Sequence, residues 1–253
     1  MKIEVIIPVI RPNLILNLLD TIKNNTILPN GVFLIDNIPD RCLFDLVKDY
    51  MDHIPNLGVG RPHRTMSVNQ SWCWGFDVLD TADVYTVLND DILLNKYFFE
   101  MLIETLQNSE IQIACPNTII PHHIAGKVRR RGVPEDIQST TPSPNRHSHL
   151  KCREGWAYSI RRPFLESIPP IPDSLVWFCG DDWLWHWSVQ REVYWFLMRD
   201  NWIWHQVGGS LSEWDTKQRK ALLEFEKKIL MGILRSDYGY NGPYPSKERI
   251  TIK

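Results

Sequence analysis

Short apolar segments alternate with amphipathic ones through the first half of this chain, and that order restricts the fold more than any other feature. Near-continuous apolar runs at residues 3–7, 32–35 and 84–88 predict strands that are buried on both faces. Weaker strand signals occur at residues 57–59 and 111–115. The intervening segments carry helical periodicity, at about residues 12–22, 43–50, 67–79 and 97–108. Strands separated by helices predict βαβ units, and therefore an α/β fold with a mixed, mostly parallel central sheet that is flanked by helices in a single domain.

The size and composition are those of a globular protein, and they argue against a protein with a global basic field and against a membrane-spanning protein. The 253 residues are 43% hydrophobic and 23% charged, and the formal net charge of −2 excludes a global basic field that would favour nucleic acid. No segment approaches the roughly 20 apolar residues of a membrane-spanning helix, so we expect no transmembrane segment. The five cysteines are scattered without a CxxC pair, which predicts free thiols and a cytoplasmic location.

The second half of the chain is less regular. Residues 117–150 contain several prolines, four histidines and the basic run Lys127–Arg131 with little periodicity, which predicts a long loop or a β-excursion. Regular signals return at residues 155–161, and an amphipathic helix is expected at about residues 215–234. We therefore divide the single domain into four parts, which are residues 1–116, 117–150, 151–214 and 215–253.

An acidic pair follows the apolar strand at 84–88. Asn89, Asp90 and Asp91 come where the strand ends, and Asp36 ends an earlier strand in the same way. In open α/β sheets ligands bind beyond the carboxyl ends of the strands. Carboxylates there can hold Mg²⁺ or Mn²⁺, with water and substrate phosphates as the other ligands. A solvated acidic turn is the alternative interpretation.

A second acidic pair lies in an aromatic-rich segment. Asp181 and Asp182 follow Gly180 at the expected start of a helix, and Trp183 is one of several tryptophans beside them. A carboxylate that is half buried among aromatic rings can have a pKa raised towards that of a general base. A helix N-cap is the plainer interpretation, and a tryptophan at helical spacing can equally belong to the core.

The order and spacing of these sites resemble those of a glycosyltransferase of the GT-A fold, family 2, over about residues 3–212. That family opens with a strand ending in a Pro-Val or Pro-Thr turn, matched by VIIPVIRPN, and its D-x-D or N-x-D metal motif is matched by Asn89 and Asp91. Its acceptor half carries a Gly–aromatic–small–hydroxyl pattern, matched by GWAYSIRR at 155–162, followed by an acidic motif at a helix start, matched by GDDWLWHWSVQR. His205, alone an unremarkable histidine after a strand, matches a histidine that completes the metal site.

The resemblance implies a Rossmann-like GT-A fold and a function. We expect a metal-dependent, inverting transfer of a hexosyl or pentosyl group from a nucleotide sugar, a UDP-sugar, to the hydroxyl of a glycan or another acceptor. Residues 1–116 would bind the donor, residues 117–150 would face the acceptor, and residues 151–214 would form the catalytic half. The expected donor-binding residues are Pro8, Val9, Asp36, Arg61, Asn69, Asn89 and Asp90. The expected ligands of Mn²⁺ or Mg²⁺ are Asp91 and His205. The expected base is Asp182 or its neighbour Asp181, and the expected acceptor contacts are Trp156, Trp183 and Arg130.

The sequence departs from the family pattern in two places and leaves alternatives open. The LIDNIPD stretch around Asp36 lacks the usual acidic-Gly-Ser turn, and the acidic motif is Asp-Asp rather than Glu-Asp. A nucleotidyltransferase would share the sheet and the metal, but VIIPVIRPN has no glycine for a phosphate loop. A non-catalytic binding module on the same scaffold would need only the aromatic residues. The basic run at 127–131 also leaves a nucleic-acid base as an alternative acceptor.

Overall fold

The structure, a computed structural model, describes residues 1–39, 42–119, 147–148, 155–193, 195–205, 216–242 and 244. Within these residues the strands are β1 (Ile3–Val9), β2 (Gly31–Asp36), β3 (Leu57–Gly60), β4 (Val84–Leu88), β5 (Ile92–Leu94), β6 (Ile113–Ile119), β7 (His147–Ser148), β8 (Ala157–Arg161) and β9 (Trp195–His205). The helices are α1 (Pro12–Lys23), α2 (Leu43–Val47), α3 (Val68–Val78), α4 (Phe98–Leu106), α5 (Arg162–Glu166), α6 (Gly180–Gln190) and α7 (Thr216–Tyr238), with a 3₁₀ turn at Lys48–Tyr50.

The strands form one mixed sheet in the order β3-β2-β1-β4-β8-β6-β9-β5, and β7 pairs with β9 off this path. β3, β2, β1 and β4 are parallel to one another, as the βαβ pattern predicts. β8 is antiparallel to both of its neighbours, and β6 is parallel to β9. The prediction of an α/β fold with a mixed sheet flanked by helices is confirmed.

Three local expectations differ from the structure. β1 continues through Pro8 to Val9, because its pairing with β4 covers only Ile3–Ile6 and Pro8 has a partner on one side alone. The strand β5 was not expected, since three residues are too few to show a period. β6 extends to Ile119, so residues 117–119 belong to the sheet rather than to the irregular segment, while residues 120–146 lie outside the described part of the chain.

The core has two layers, one on each face of the sheet. Along β1, Ile3, Val5, Ile7 and Val9 pack with residues of α1 and α4, whereas Ile6 faces the opposite layer with α3, α6 and α7. A Cβ on Gly75 would lie 2.5 Å from Ile6, so the glycine allows α3 to pack closely against β1. None of the described helices is both long enough and apolar enough to cross a membrane.

A buried carboxylate fixes the C-terminal helix to the segment before α6. Glu226 of α7 is 2% exposed and accepts hydrogen bonds from the backbone N–H groups of Trp177 and Phe178, at 2.9 and 2.8 Å. Burial raises the pKa of Glu226, and the backbone N–H groups around it partly oppose that rise. This contact connects α7 to the start of the helix that carries Asp181 and Asp182.

We expect Glu226→Gln to lower the free energy of unfolding by about 1–3 kcal/mol, because the amide places a donor against one of two buried N–H groups. Glu224→Gln is the matched control, since the Glu224 side chain on the same helix is 63% exposed and pairs only with Lys227 among the contacts seen. The control should stay within about 0.5 kcal/mol of the parent protein. Urea unfolding measures both variants, and equal losses would contradict the anchoring role of Glu226.

Candidate active site

The register of the sheet brings four distant segments to one edge. Ile92 of β5 pairs with His205 at the end of β9, which places Asp91 beside that histidine. Leu88 pairs with Ala157, so the backbone N–H of Asn89 reaches the carbonyl of Trp156 at 2.9 Å. The turn from β1 to α1 is the fourth segment, and Asp90 holds it. The first acidic pair therefore lies at the carboxyl edge of β4, as the sequence predicts.

Asp90 is the structural member of the pair. Its Oδ2 accepts hydrogen bonds from the backbone N–H groups of Ile10 and Arg11, both at 2.8 Å, and its side chain is 4% exposed. Burial raises the pKa of Asp90 to about 6; the charge of Asp91 adds to the rise, and Arg11 and the two N–H groups oppose it. Its carboxylate thus closes the turn after β1, and its expected contact with a nucleotide-sugar donor stays a prediction.

Asp91 faces His205. Nε2 of His205 lies 3.3 Å from Oδ1 of Asp91, and the ring of Trp156 stacks on His205 with centroids 4.7 Å apart. Burial works to raise the pKa of Asp91, but the contact with His205 and the charge of Arg11 outweigh it and lower the pKa. Oδ1 of Asp91 and Nδ1 of His205 are buried without a hydrogen-bond partner among the described residues. This is the pattern of a site that another group completes.

The pair fits a divalent cation as two of its ligands. Adjacent ligands of an octahedral ion bound at about 2.1 Å lie roughly 3 Å apart, close to the Asp91–His205 separation of 3.3 Å. No cluster of three histidine, cysteine, aspartate or glutamate side chains with metal-binding geometry occurs in the part of the chain that the structure describes. Mg²⁺ and Mn²⁺ do not need such a cage, because they are commonly held by one or two side chains together with water and substrate phosphates.

Arg11 is part of this site, although the sequence analysis did not select it. Its two terminal nitrogens lie 3.1 Å from Oδ1 of Asp90 and 3.0 Å from Oδ2 of Asp91, so one guanidinium bridges both carboxylates. The signal that could have identified it is its position: it follows the carboxyl end of β1, at the same edge as the acidic pair.

The end of β2 forms a second part of this edge. The Asp36 carboxylate accepts hydrogen bonds from the N–H groups of Ile38 and Leu43, each at 3.1 Å, and Arg61 lies 3.6 Å from its Oδ2. The Asp36 side chain is 1% exposed and that of Arg61 is 48% exposed, so Arg61 is the more accessible member. The side chains of Pro8 and Val9 are buried, which leaves only their backbone for any contact with a donor.

The second acidic pair lies in the first turn of α6, and neither aspartate is its N-cap. Cys179 occupies that position with a left-handed backbone, φ 62°. A Cβ on Gly155 would lie 3.1 Å from the Asp181 carboxylate, so the glycine lets Asp181 approach the residue before Trp156. Asp182 accepts a hydrogen bond from the hydroxyl of Tyr244 in the C-terminal tail, a partner that no sequence signal indicated.

Two expected site residues are buried and make hydrogen bonds within the fold. Asn69 is 2% exposed, and its amide donates to the carbonyls of Leu175 and Phe178, at 2.8 and 2.9 Å, while its expected contact with a donor stays a prediction. Trp183 is fully buried and donates to the carbonyl of Pro169 at 3.0 Å, while its expected place in an acceptor pocket stays a prediction. Arg130 lies outside the described residues.

The architecture is similar to that of several proteins of known structure. No protein-family model and no curated protein matches the sequence. The crystal structure of S. aureus TarS 1-349 superposes with a TM-score of 0.61 at 13% identity, over 95% of this chain and 73% of that one. The same TarS segment in complex with UDP gives a TM-score of 0.62 at 14% identity with the same coverage. GalNAc-T7, solved with UDP, GalNAc and Mn²⁺, gives 0.61 at 14% identity, over 83% of this chain and 46% of that one.

The chain has the GT-A glycosyltransferase fold. These structures share that fold, so the expectation taken from the sequence resemblance is confirmed at the level of architecture. Sequence identities of 13–14% show the fold alone, and the roles of individual residues have to be argued from their chemistry in this chain.

We expect Asn69→Ala to lower the free energy of unfolding by about 1–3 kcal/mol, because it leaves two carbonyls before α6 without their donor. Asn13→Ala is a closely matched control. Both asparagines are the second residue of a helix, but Asn13 is exposed, so its replacement should change stability by less than about 0.5 kcal/mol. Urea unfolding compares the two, and an Asn69 variant as stable as the control would show that these hydrogen bonds do not hold the segment.

Proposed function

We propose that the chain is a metal-dependent, inverting glycosyltransferase that moves a hexosyl or pentosyl group from a UDP-sugar to an acceptor hydroxyl. One observation carries the proposal most directly. At the carboxyl edge of a GT-A sheet, Asp91 and His205 present a buried oxygen and a nitrogen 3.3 Å apart, and the oxygen makes no hydrogen bond of regular geometry within the described chain. The UDP complexes of structures with this fold support a nucleotide-sugar donor.

Each residue at this edge of the sheet would have a separate role in binding the nucleotide-sugar donor. Asp91 and His205 would hold Mn²⁺ or Mg²⁺, which supplies positive charge to neutralise the diphosphate as it leaves. Asp90 keeps the β1–α1 turn closed, so the end of β1 is already shaped before the donor binds. Arg61, half exposed beside Asp36, is placed to contact the nucleotide, and Trp156 covers one face of His205 and restricts water there.

The second acidic pair would serve the acceptor. In an inverting displacement the acceptor attacks from the side of the sugar opposite the diphosphate, so the base belongs away from the metal. Asp181 lies towards Gly155 and Trp156, on the metal side, whereas Asp182 faces the C-terminal tail. We therefore propose Asp182 as the base, with the Tyr244 hydroxyl fixing the orientation of its carboxylate.

The alternatives are weaker on physical grounds. A nucleotidyltransferase needs free backbone N–H groups after its first strand to bind phosphates, but those of Ile10 and Arg11 are bound to Asp90. A non-catalytic module gives no reason to bury Asp91 and His205 with unpartnered atoms.

The acceptor would be a glycan or another hydroxyl compound, and a nucleic-acid base stays an alternative acceptor because of the basic run at 127–131. The four cysteines in the described chain are free thiols, which supports a proposed cytoplasmic location.

The function is tested by screening UDP-sugars for hydrolysis and for thermal stabilisation with and without Mn²⁺. The matching donor at a hundredfold excess over its Kd should stabilise the fold by about 2.7 kcal/mol. Asp91→Asn should remove Mn²⁺-dependent UDP binding and abolish turnover, because the cation loses its charged ligand. Full activity in excess chelator would overturn the metal part of the proposal, and no binding of any nucleotide would overturn the function.

For the base, we expect Asp182→Asn to bind donor and Mn²⁺ like the parent protein and to turn over about 10²–10⁴-fold more slowly, the usual loss for a positioned general base. Asp181→Asn is the matched control and should lose less. Tyr244→Phe keeps the base and removes its orienting hydrogen bond, so its loss in kcat should be intermediate, with an altered pH profile. Calorimetry of donor binding alongside initial rates measures all three. If Asp181→Asn is the inactive variant, the two roles are exchanged, and if both retain their rates the pair is only the start of a helix.

A further inference from the structure

Arg11 supplies a cation to the acidic pair before any metal binds. Its guanidinium contacts Asp90 at 3.1 Å and Asp91 at 3.0 Å, with the two carboxylate side chains 4% exposed and its own side chain 20% exposed. A buried carboxylate pair without such a partner would be costly, because each charge has lost its water. The contact spans 80 positions of sequence and joins the start of α1 to the end of β4.

The bridge leaves the guanidinium able to exchange partners. Nε of Arg11 is buried and has no hydrogen-bond partner among the described residues. The backbone of residue 11 is held separately by Asp90 through its N–H, so the side chain can move while the turn stays closed. A guanidinium binds a phosphate with the same two-pronged geometry that it uses for a carboxylate. A diphosphate at this edge would therefore offer Arg11 an equivalent anion.

The charges make metal and nucleotide interdependent. Asp90, Asp91 and Arg11 together carry one net negative charge, so a divalent cation added alone would leave an excess of positive charge next to the guanidinium. A diphosphate brings at least two negative charges and removes that excess. Thermodynamic linkage requires the effect to be reciprocal: the factor by which bound nucleotide changes the affinity of the protein for the metal equals the factor by which bound metal changes its affinity for the nucleotide.

We propose that Arg11 is a built-in competitor of the metal that acts through its charge: it holds Oδ2 of Asp91, beside the oxygen left for the cation, until a nucleoside diphosphate draws the guanidinium away and so makes tight metal binding depend on the nucleotide. This inference rests on the proposed function, because it takes the nucleotide diphosphate as the second ligand. It adds a binding order to that function: the protein binds the cation weakly when no nucleotide is bound and tightly when the nucleotide is bound.

The test is calorimetry of Mn²⁺ alone, of UDP alone, and of Mn²⁺ at saturating UDP after correction for the Mn²⁺–UDP complex in solution. Arg11→Gln should bind Mn²⁺ alone at least tenfold more tightly than the parent protein and should lose most of the enhancement by UDP. Arg11→Lys keeps the charge but cannot bridge both carboxylates with a planar fork, so its Mn²⁺ affinity should be intermediate. Arg162→Gln is the control: it removes an arginine that pairs with Glu166 next to the start of β4, at the opposite end of that strand from Asp91, so it should leave the Mn²⁺ affinity unchanged.

Three results would overturn the inference, and they are distinguishable. If Arg11→Gln binds Mn²⁺ no more tightly than the parent while UDP binding persists, the competition is refuted and the proposed function stands. If UDP binding needs Arg11 but is indifferent to Mn²⁺, Arg11 acts in place of the metal rather than against it. If the parent protein binds neither Mn²⁺ nor UDP, both the inference and the proposed function fail. Should Arg11→Gln fail to fold by circular dichroism, the Arg11→Lys titration carries the same comparison.

Discussion

The burial of two adjacent carboxylates at the edge of the sheet governs the architecture of this protein around its site. Asp90 and Asp91 have side chains that are 4% exposed, and charged groups that have lost their water must be paired or neutralised. The chain meets that requirement differently for each residue. Backbone N–H groups and Arg11 stabilise Asp90, whereas Arg11 and His205 stabilise Asp91. Every one of these partners comes from a segment distant in sequence, so the pair ties β1, β4 and β9 together.

The two carboxylates therefore have different roles: Asp90 holds the fold together, and Asp91 is available to a ligand. Asp90 accepts the hydrogen bonds that close the β1–α1 turn, whereas Oδ1 of Asp91 is buried and accepts no hydrogen bond of regular geometry among the described residues. A parallel division occurs on α6. Asn69 and Glu226 hold the segment before that helix from two different sides, through the carbonyls and the N–H groups of the same loop. Asp181 and Asp182 then project from a helix start whose position is fixed by other residues.

The sequence predicted what depends on local patterns. The order of strands and helices through β4 follows from periodicity, and the placement of Asp36 and Asp91 at strand ends follows from the rule on carboxyl edges. What it could not predict depends on distant partners. Arg11 meets Asp91 across 80 positions and Tyr244 meets Asp182 across 62 positions, and neither contact leaves a local signal. The hydrogen bonds of Asn69 were not predicted for the same reason, because an amide in a helix gives no sign of which backbone groups it will bind. The antiparallel insertion of β8 between β4 and β6 is likewise a property of the assembled sheet.

The proposed function requires Asp91 and His205 to hold a divalent cation next to a nucleotide diphosphate. The most direct measurement is anomalous diffraction from crystals grown with Mn²⁺ and UDP. We expect an anomalous peak at about 2.1 Å from both Asp91 Oδ1 and His205 Nε2, with the Arg11 guanidinium turned from Asp91 to the diphosphate. UDP bound at this edge without a manganese peak at Asp91, with Arg11 still bridging the two carboxylates, would contradict it.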